Sequence, residues 1–213
     1  MDSYFLGDSS ICWKLGNIID KELNKKVLYL YKKLKNSNLF NELGLYDIVP
    51  SFNAIAVYFD PFIDDPYIIK NKIEQFFIES LEYYNSTITD NLNKIELPVI
   101  YDGEDLQRVA DINNITKKMV IDLHSNSEYQ VAMIGFKPHF PYLIGLDPQL
   151  ETPRLESPRT AIPAGSVAIG GAQTGIYPEK SPGGWNIIGK TDPANLKTLK
   201  PGDIITIKRS LEL

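Results

Sequence analysis

Cysteine occurs once in the 213 residues, at Cys12, which excludes an internal disulfide and any cysteine-rich metal site. Cys12 beside Trp13 reads as a small buried hydrophobe. Histidine occurs twice, at His124 and His139, and neither belongs to a cluster with metal-ligand spacing, so no metal is expected. No apolar run approaches the ~20 residues that span a bilayer, so no membrane segment is expected. Met1-Asp2-Ser3-Tyr4 lacks the basic region and apolar core of a secretory signal, and a cytoplasmic protein is the expectation. Without a signal, the glycosylation-like triplets Asn85-Ser86-Thr87 and Asn114-Ile115-Thr116 carry no meaning. The formal net charge of −5 argues against a nucleic-acid binder, which usually needs a basic face.

Glycine and proline are scarce at first and then abundant. Only 8 of the 28 fall in the first 134 residues, and 20 fall in the remaining 79. Charge divides at the same place, with 13 Lys/Arg against 20 Asp/Glu before it and 9 against 7 after it. The Gly/Pro-rich part remains rich in Ile, Val and aromatics, so it reads as ordered chain in many special backbone conformations rather than as disorder.

The first part alternates strand and helix patterns. Tyr4–Leu6 and Ile11–Leu15 read as strands around the turn Gly7-Asp8-Ser9-Ser10. Leu23, Val27, Leu30, Tyr31 and Leu34 recur at helical spacing and place a helix over about Asp20–Lys35, with Asn36-Ser37-Asn38 as its stop. Tyr46–Val49 and Ala54–Phe59 read as strands. A second helix runs from Pro66, a favoured first-turn residue, to about Tyr84. Strand-strand-helix, twice over, predicts a two-layer α+β domain, with a boundary near residues 90–96. The division taken is 1–92 and 93–213.

Beyond it, Leu97–Tyr101 reads as a strand and Asp105–Asp111 and Thr116–His124 as short helices, capped near Asp102 and by Thr116. Tyr129–Phe136, Ser166–Ile169, Trp185–Ile188 and Ile204–Ile207 are apolar pieces separated by Pro/Gly turns, the pattern of a small β-barrel.

Several motifs carry possible chemistry. Gly184-Trp185-Asn186-Ile187-Ile188-Gly189-Lys190-Thr191 satisfies the G-x-x-x-x-G-K-[ST] pattern of a phosphate loop. Such a loop must open a helix, yet Asp192-Pro193 follows at once, and Trp185–Ile188 reads better as a strand. Thr152-Pro153-Arg154 and Ser157-Pro158-Arg159 repeat a proline-arginine theme; extended chain would place the two arginines ~15 Å apart. They either clamp an anionic ligand or partner, or pin a long loop by salt bridges inside the domain. His124 follows a helical pattern, where packing competes with catalysis. Gly135–Leu143, with Phe136, His139, Phe140 and Tyr142, reads as a rigid aromatic loop suited to a pocket wall. In Gly165–Pro178 the glycines signal close approach, either of a neighbouring strand or of a ligand touched by Gln173, Thr174 and Tyr177.

Taken together, Gly135-Phe136-Lys137-Pro138-His139-Phe140-Pro141-Tyr142-Leu143, the two Pro-Arg elements, Ile162–Ile169, Gln173-Thr174-Gly175-Ile176-Tyr177-Pro178 and Ser181-Pro182-Gly183-Gly184-Trp185 resemble the PxpB/KipI family, also called allophanate hydrolase subunit 1-like. The likeness is dense over about residues 97–192; Gly7-Asp8 and Pro50-Ser51 extend it into the first part. It implies a cyclophilin-like β-barrel after a small α/β domain. It also implies a role as the B subunit of an ATP-dependent 5-oxoprolinase, which opens 5-oxo-L-proline to L-glutamate with an A subunit and a KipA-like C subunit. Other members implied by the same resemblance inhibit a sporulation histidine kinase or form part of urea carboxylase and allophanate hydrolase systems.

For the enzyme reading, Arg154, Arg159 and Lys190 are the candidates for anion stabilisation. Gln173, Thr174, Tyr177 and His124 are candidates for polar contacts, and Phe136, Phe140, Tyr142 and Trp185 for the walls. ATP enters as a co-substrate without a recognisable motif in this chain. The family usually has Gly at the position of His139 and commonly Arg at that of Lys190.

Overall fold

The computed structural model describes residues 1–62, 65–85 and 93–212. The chain divides into two compact units, Met1–Asn91 and Leu92–Leu213. The expected boundary residue Leu92, and Ser86-Thr87 of the first glycosylation-like triplet, lie outside the described residues.

The first unit runs β1 (Asp2–Phe5), β2 (Ser10–Lys14), α1 (Lys21–Lys35), α2 (Asn38–Glu42), β3 (Leu45–Pro50), β4 (Ala54–Phe59) and α3 (Pro66–Glu82). The strands form an antiparallel sheet in the order β1-β2-β4-β3. Asp20 starts α1 by accepting a hydrogen bond from the Leu23 N–H at 2.8 Å, and Lys32, Lys33 and Lys35 sit at its electronegative end. Its stripe Val27, Leu30 and Leu34 packs with Ile69, Ile73 and Phe77 of α3 against Ile11, Trp13, Ile55, Val57 and Phe59 of the sheet. Each such side chain taken fully out of water contributes ~1.5–3 kcal/mol, which holds the two layers together. Asn36-Ser37-Asn38 does end α1, but Asn38 immediately begins the short α2, which the stop signal concealed.

The second unit runs β5 (Lys94–Val99), α4 (Leu106–Ile112), α5 (Lys117–Asn126), β6 (Tyr129–Ile134), β7 (Pro141–Ile144), β8 (Arg159–Ile162), β9 (Ser166–Gly170), β10 (Gln173–Ile176), β11 (Ser181–Gly183), β12 (Asn186–Lys190) and β13 (Ile204–Arg209). Seven strands form one curled sheet in the order β12-β9-β10-β7-β6-β13-β5, antiparallel except for β13 with β5, while β8 and β11 pair separately. The curl brings the chain just past β5 against the edge strand β12, where Gly103 and Asp105 donate backbone N–H groups to the Ile188 and Ile187 carbonyls at 3.2 and 2.9 Å. Ile100, just past β5, exchanges backbone hydrogen bonds of 2.9 and 2.8 Å with Lys190 at the end of β12.

Thr116 caps α5 as expected, accepting from the Met119 N–H at 3.1 Å. Asp102 does not cap α4: Asp105 occupies that position, and Asp102 instead pairs with Lys190. The stretch that imitates a phosphate loop is strand β12, followed by a 3-10 turn over Pro193–Leu196. Gly189, which completes the imitation, is required by the seam, because a Cβ there would lie 2.4 Å from the Ile100 carbonyl oxygen.

Alternation along the strands gives this sheet two faces. Leu143, Val167, Ile169, Ile176 and Ile188 point to an aliphatic core shared with Val109, Ala110 and Val120 of α4 and α5. Tyr142, Ala168 and Ile187 point the other way, into a separate cluster with Phe140, Ile162, Tyr177 and Trp185.

Candidate functional site

The second cluster is built on a floor of small residues. A Cβ on Gly170 would meet the Trp185 ring at 2.5 Å, and one on Gly175 would meet both Phe140 and Trp185 at 3.0 Å. A Cβ on Gly183 would lie 2.3 Å from the Tyr177 hydroxyl. What approaches these glycines is therefore aromatic side chains of the same chain.

Phe140 occupies the centre, with ring centroids 4.7 Å from Tyr142, 5.2 Å from Tyr177 and 5.9 Å from Trp185. Its contacts with Tyr177 and Trp185 are edge-to-face, the arrangement favoured by ring quadrupoles. Phe136 stands edge-on to Phe140 at 5.5 Å and is 58% exposed at the tip of the β6–β7 hairpin. Two non-glycine residues of that tip, Phe136 (φ 65°) and His139 (φ 66°), are left-handed, which explains why glycine suits the His139 position. Gln173 lies opposite Gly170 and shares its face of the sheet. Burial pushes the Tyr142 and Tyr177 hydroxyls up in pKa; at Tyr177 the Trp185 backbone N–H opposes this, and at both the positive charge of Arg154 does.

The two Pro-Arg elements end in different environments. Arg159 is neutralised from both sides, with Nε 3.0 Å from Glu104 and Nη2 2.8 Å from Asp105, and it rises in pKa chiefly through the Asp105 hydrogen bond. Asp105 is buried and its other oxygen accepts the Ile187 N–H at 2.7 Å, so this pair straps the start of α4 to β8 and β12. Arg159 Nη1 is buried without a hydrogen-bond partner among the described residues. Arg154 is exposed, and its guanidinium carbon sits 5.6 Å from the Trp185 ring centroid. Lys190 is half-exposed and bound to Asp102.

His124 and Thr174 lie elsewhere, within the unit's interior. His124 is completely buried, with Nδ1 2.7 Å from the Tyr101 hydroxyl and Nε2 3.0 Å from Thr174 Oγ1. Thr174 donates to the Ala168 carbonyl at 3.0 Å, so it accepts from Nε2–H, and Nδ1 accepts from Tyr101. Burial drives the imidazole down to about 3, and it is held neutral. The structure thus gathers Phe136, Phe140, Tyr142, Gln173, Tyr177, Trp185 and Arg154, with Arg159 strapped at the side, and separates His124 and Thr174 from them.

Asp105, Glu104, Arg108 and Asn186 carry no site motif in the sequence. Asn186 takes a hydrogen bond from Arg108 Nε at 3.0 Å and donates to the Pro153 and Ile169 carbonyls, both at 3.0 Å. The available signal was the acid-rich run Asp102-Gly103-Glu104-Asp105, whose cationic partners lie far along the chain. A cleft of about 480 Å³ along α5, lined by Lys118, Met119, Asp122 and Asp147 among others, contains none of the candidate residues. Among the described residues no group of three or more His, Cys, Asp or Glu is placed to hold a metal, and no helix is long and apolar enough to cross a membrane.

The fold has counterparts among proteins of known structure. Residues 1–198 match the carboxyltransferase domain, subdomain C and D. The crystal structure of TTHA0988 superposes with a TM-score of 0.78 at 31% identity, covering 96% of this chain but 40% of that one. The urea amidolyase of K. lactis shares the fold, with a TM-score of 0.79 at 18% identity over 98% of this chain and 15% of the other. Among curated proteins, the 5-oxoprolinase B subunit of Bacillus subtilis is 36% identical over 97% of this chain and 92% of its own length. The Haemophilus influenzae protein of the same name is 44% identical over 73% of this chain and 72% of its length, and that of Escherichia coli O157:H7 is 34% identical over 95% and 93%. The chain belongs to the carboxyltransferase subdomain C and D family and, within it, to the PxpB family, the B subunits of 5-oxoprolinase.

Proposed function

We propose that this chain is the B subunit of an ATP-dependent 5-oxoprolinase that opens 5-oxo-L-proline to L-glutamate, working in the cytoplasm with an A subunit and a KipA-like C subunit. The observation that carries this is the 36% identity, across nearly the whole of both chains, with the Bacillus subtilis 5-oxoprolinase B subunit. The two other curated relatives bear the same name, which supports the enzyme reading over a kinase inhibitor or a urea carboxylase component. In this reading the chain has two domains, 1–92 and 93–213, the second a cyclophilin-like barrel; the curled sheet, with the chain past β5 bonded to β12, supports that description.

An unstrained lactam is a poor electrophile. Transfer of the ATP γ-phosphoryl group to the lactam oxygen, with ADP leaving, makes the carbon attackable by water. Loss of phosphate and cleavage of the C–N bond then yield the open amino acid. The aromatic cluster, walled by Phe136, Phe140, Tyr142, Tyr177 and Trp185 with Gln173 beside it, is the substrate-side surface of this chain. Arg159 and Lys190 are occupied by acids, so their contribution is to hold the surface in shape. His124 and Thr174 act as a neutral internal support rather than as acid or base.

Most of the Gly184–Thr191 segment, Asn186–Lys190, is strand and opens no helix, so in this reading ATP is bound with residues of a partner protein in the complex. Reconstitution with the A and C subunits tests the proposal. Hydrolysis of ATP that depends on 5-oxo-L-proline is expected in the complex and not with this chain alone. Absence of such turnover in the complete complex overturns the assignment.

A further inference from the structure

Four arginines occur in the sequence, and three are committed within the fold. Arg108 bonds Asn186, Arg159 is held by Glu104 and Asp105, and Arg209 pairs with Asp122 at 2.6 Å and Ser125 at 2.7 Å. Arg154 makes no hydrogen bond or ion pair with any described residue; its one contact of this kind is with the Trp185 ring. A guanidinium whose contact is with a ring, and whose N–H groups meet no protein acceptor among the described residues, keeps those donors available for a planar carboxylate.

The segment carrying Arg154 is also fixed to an unusual degree for exposed chain. Thr152 and Gly171 exchange backbone hydrogen bonds of 3.3 and 2.7 Å, the Pro153 carbonyl is held by Asn186, and the Leu155 N–H donates to the Gly184 carbonyl at 2.7 Å. Anchors at 152, 153 and 155 present the side chain between them in advance, which lowers the entropy cost of binding through it.

We infer that Arg154 is the receptor for the substrate's carboxylate and thereby selects a lactam that bears one. This rests on the function proposed above. Charge matching favours a carboxylate over the phosphates of ATP. The other two cations that the sequence groups with Arg154, namely Arg159 and Lys190, are neutralised by Glu104, Asp105 and Asp102, so of these three Arg154 alone is uncompensated, which suits a monoanion. A polyphosphate would call for several. The Trp185 ring centroid lies 5.6 Å from the guanidinium carbon, and Tyr142, half-buried, has its ring centroid 5.8 Å from that of Trp185.

The test compares wild type, Arg154→Ala and Arg154→Lys in the reconstituted complex. Loss of a charge-assisted pair raises the KM for 5-oxo-L-proline about 10- to 100-fold in Arg154→Ala. The KM for ATP is expected to stay unchanged, with partial recovery in Arg154→Lys. A raised KM for ATP instead, or a fall in kcat with both KM values intact, overturns the inference. A binding readout separates it from the function itself. In a Trp13→Phe background Trp185 is the sole tryptophan, and its emission is titrated with 5-oxo-L-proline and with 2-pyrrolidinone, the same ring without the carboxylate. A saturable change with the acid alone, abolished by Arg154→Ala, supports the inference even where the complex shows no turnover and the enzyme reading fails. No such change, together with an Arg154→Ala complex of normal KM, or with no turnover at all, overturns it.

Discussion

The two faces of the seven-stranded sheet are made by the same strands and do different work. On one, Leu143, Val167, Ile169, Ile176 and Ile188 bury aliphatic surface against helices, and the polar residues admitted there, His124 and Thr174, satisfy one another. On the other, Gly170, Gly175 and Gly183 leave room for Trp185, Phe140 and Tyr177 to lie directly against the backbone, beside Ala168 and Ile187. A closed core needs volume on every strand position. A surface that presents rings and a cation needs small residues beneath them. The two proline-linked arginines repeat the contrast, Arg159 locked between acids and Arg154 presented outward over a ring.

The aliphatic face carries the largest expected effect. With His124 lowered from 6.5 to about 3 by burial, the folded protein keeps it neutral while the unfolded chain takes up a proton below pH 6.5. Stability from this group is complete above pH 6.5 and falls by ~1.4 kcal/mol per pH unit as pH drops toward the folded value. Urea unfolding at pH 7 and pH 4.5 is expected to differ by about 2–3 kcal/mol more in wild type than in His124→Gln. An equal difference in both would mean that the imidazole is not sealed.

On the aromatic face, Gly170→Ala drives a methyl group into the Trp185 ring and is expected to cost about 1–3 kcal/mol. The near-ultraviolet dichroism of Trp185 should change with it; a silent substitution would show that the ring does not rest on the strand. The smallest effect has the opposite sign. His139→Gly relieves a left-handed non-glycine residue, worth ~1–2 kcal/mol, against the entropy glycine adds to the unfolded chain. A net gain of about 0.5–1 kcal/mol is expected, seen as a rise in Tm of roughly 1–4 °C.

The sequence is most legible where a pattern is local. The stripe of α1, the Pro66 start of α3, the Thr116 cap and strand β4 all express their own periodicity or cap chemistry. Strands β7, β8, β10 and β11 leave no clear strand pattern in the sequence, because each has only three or four residues and three of them contain Pro141, Gly175 or Pro182–Gly183. The aromatic residues were legible as a group, since motif and composition mark them. Which cation is free was not legible: it depends on Asp105 reaching Arg159 across 54 positions and Asp102 reaching Lys190 across 88. The nearby Thr152 and Asn186 anchors depend on pairings 39 and 33 positions apart.

The central claim is that one face of the sheet supports the fold and the other meets the ligand. It is tested most directly by turnover of the reconstituted complex carrying Ile188→Val from the aliphatic face or Tyr142→Ala from the aromatic face, at a temperature where both are folded. The account expects Ile188→Val to lose about 0.5–1.5 kcal/mol of stability and keep wild-type turnover. Tyr142→Ala is expected to lose at least about tenfold in kcat/KM for 5-oxo-L-proline, a transition-state loss of ~1.4 kcal/mol. Equal turnover in the two, or a loss confined to Ile188→Val, would contradict the division.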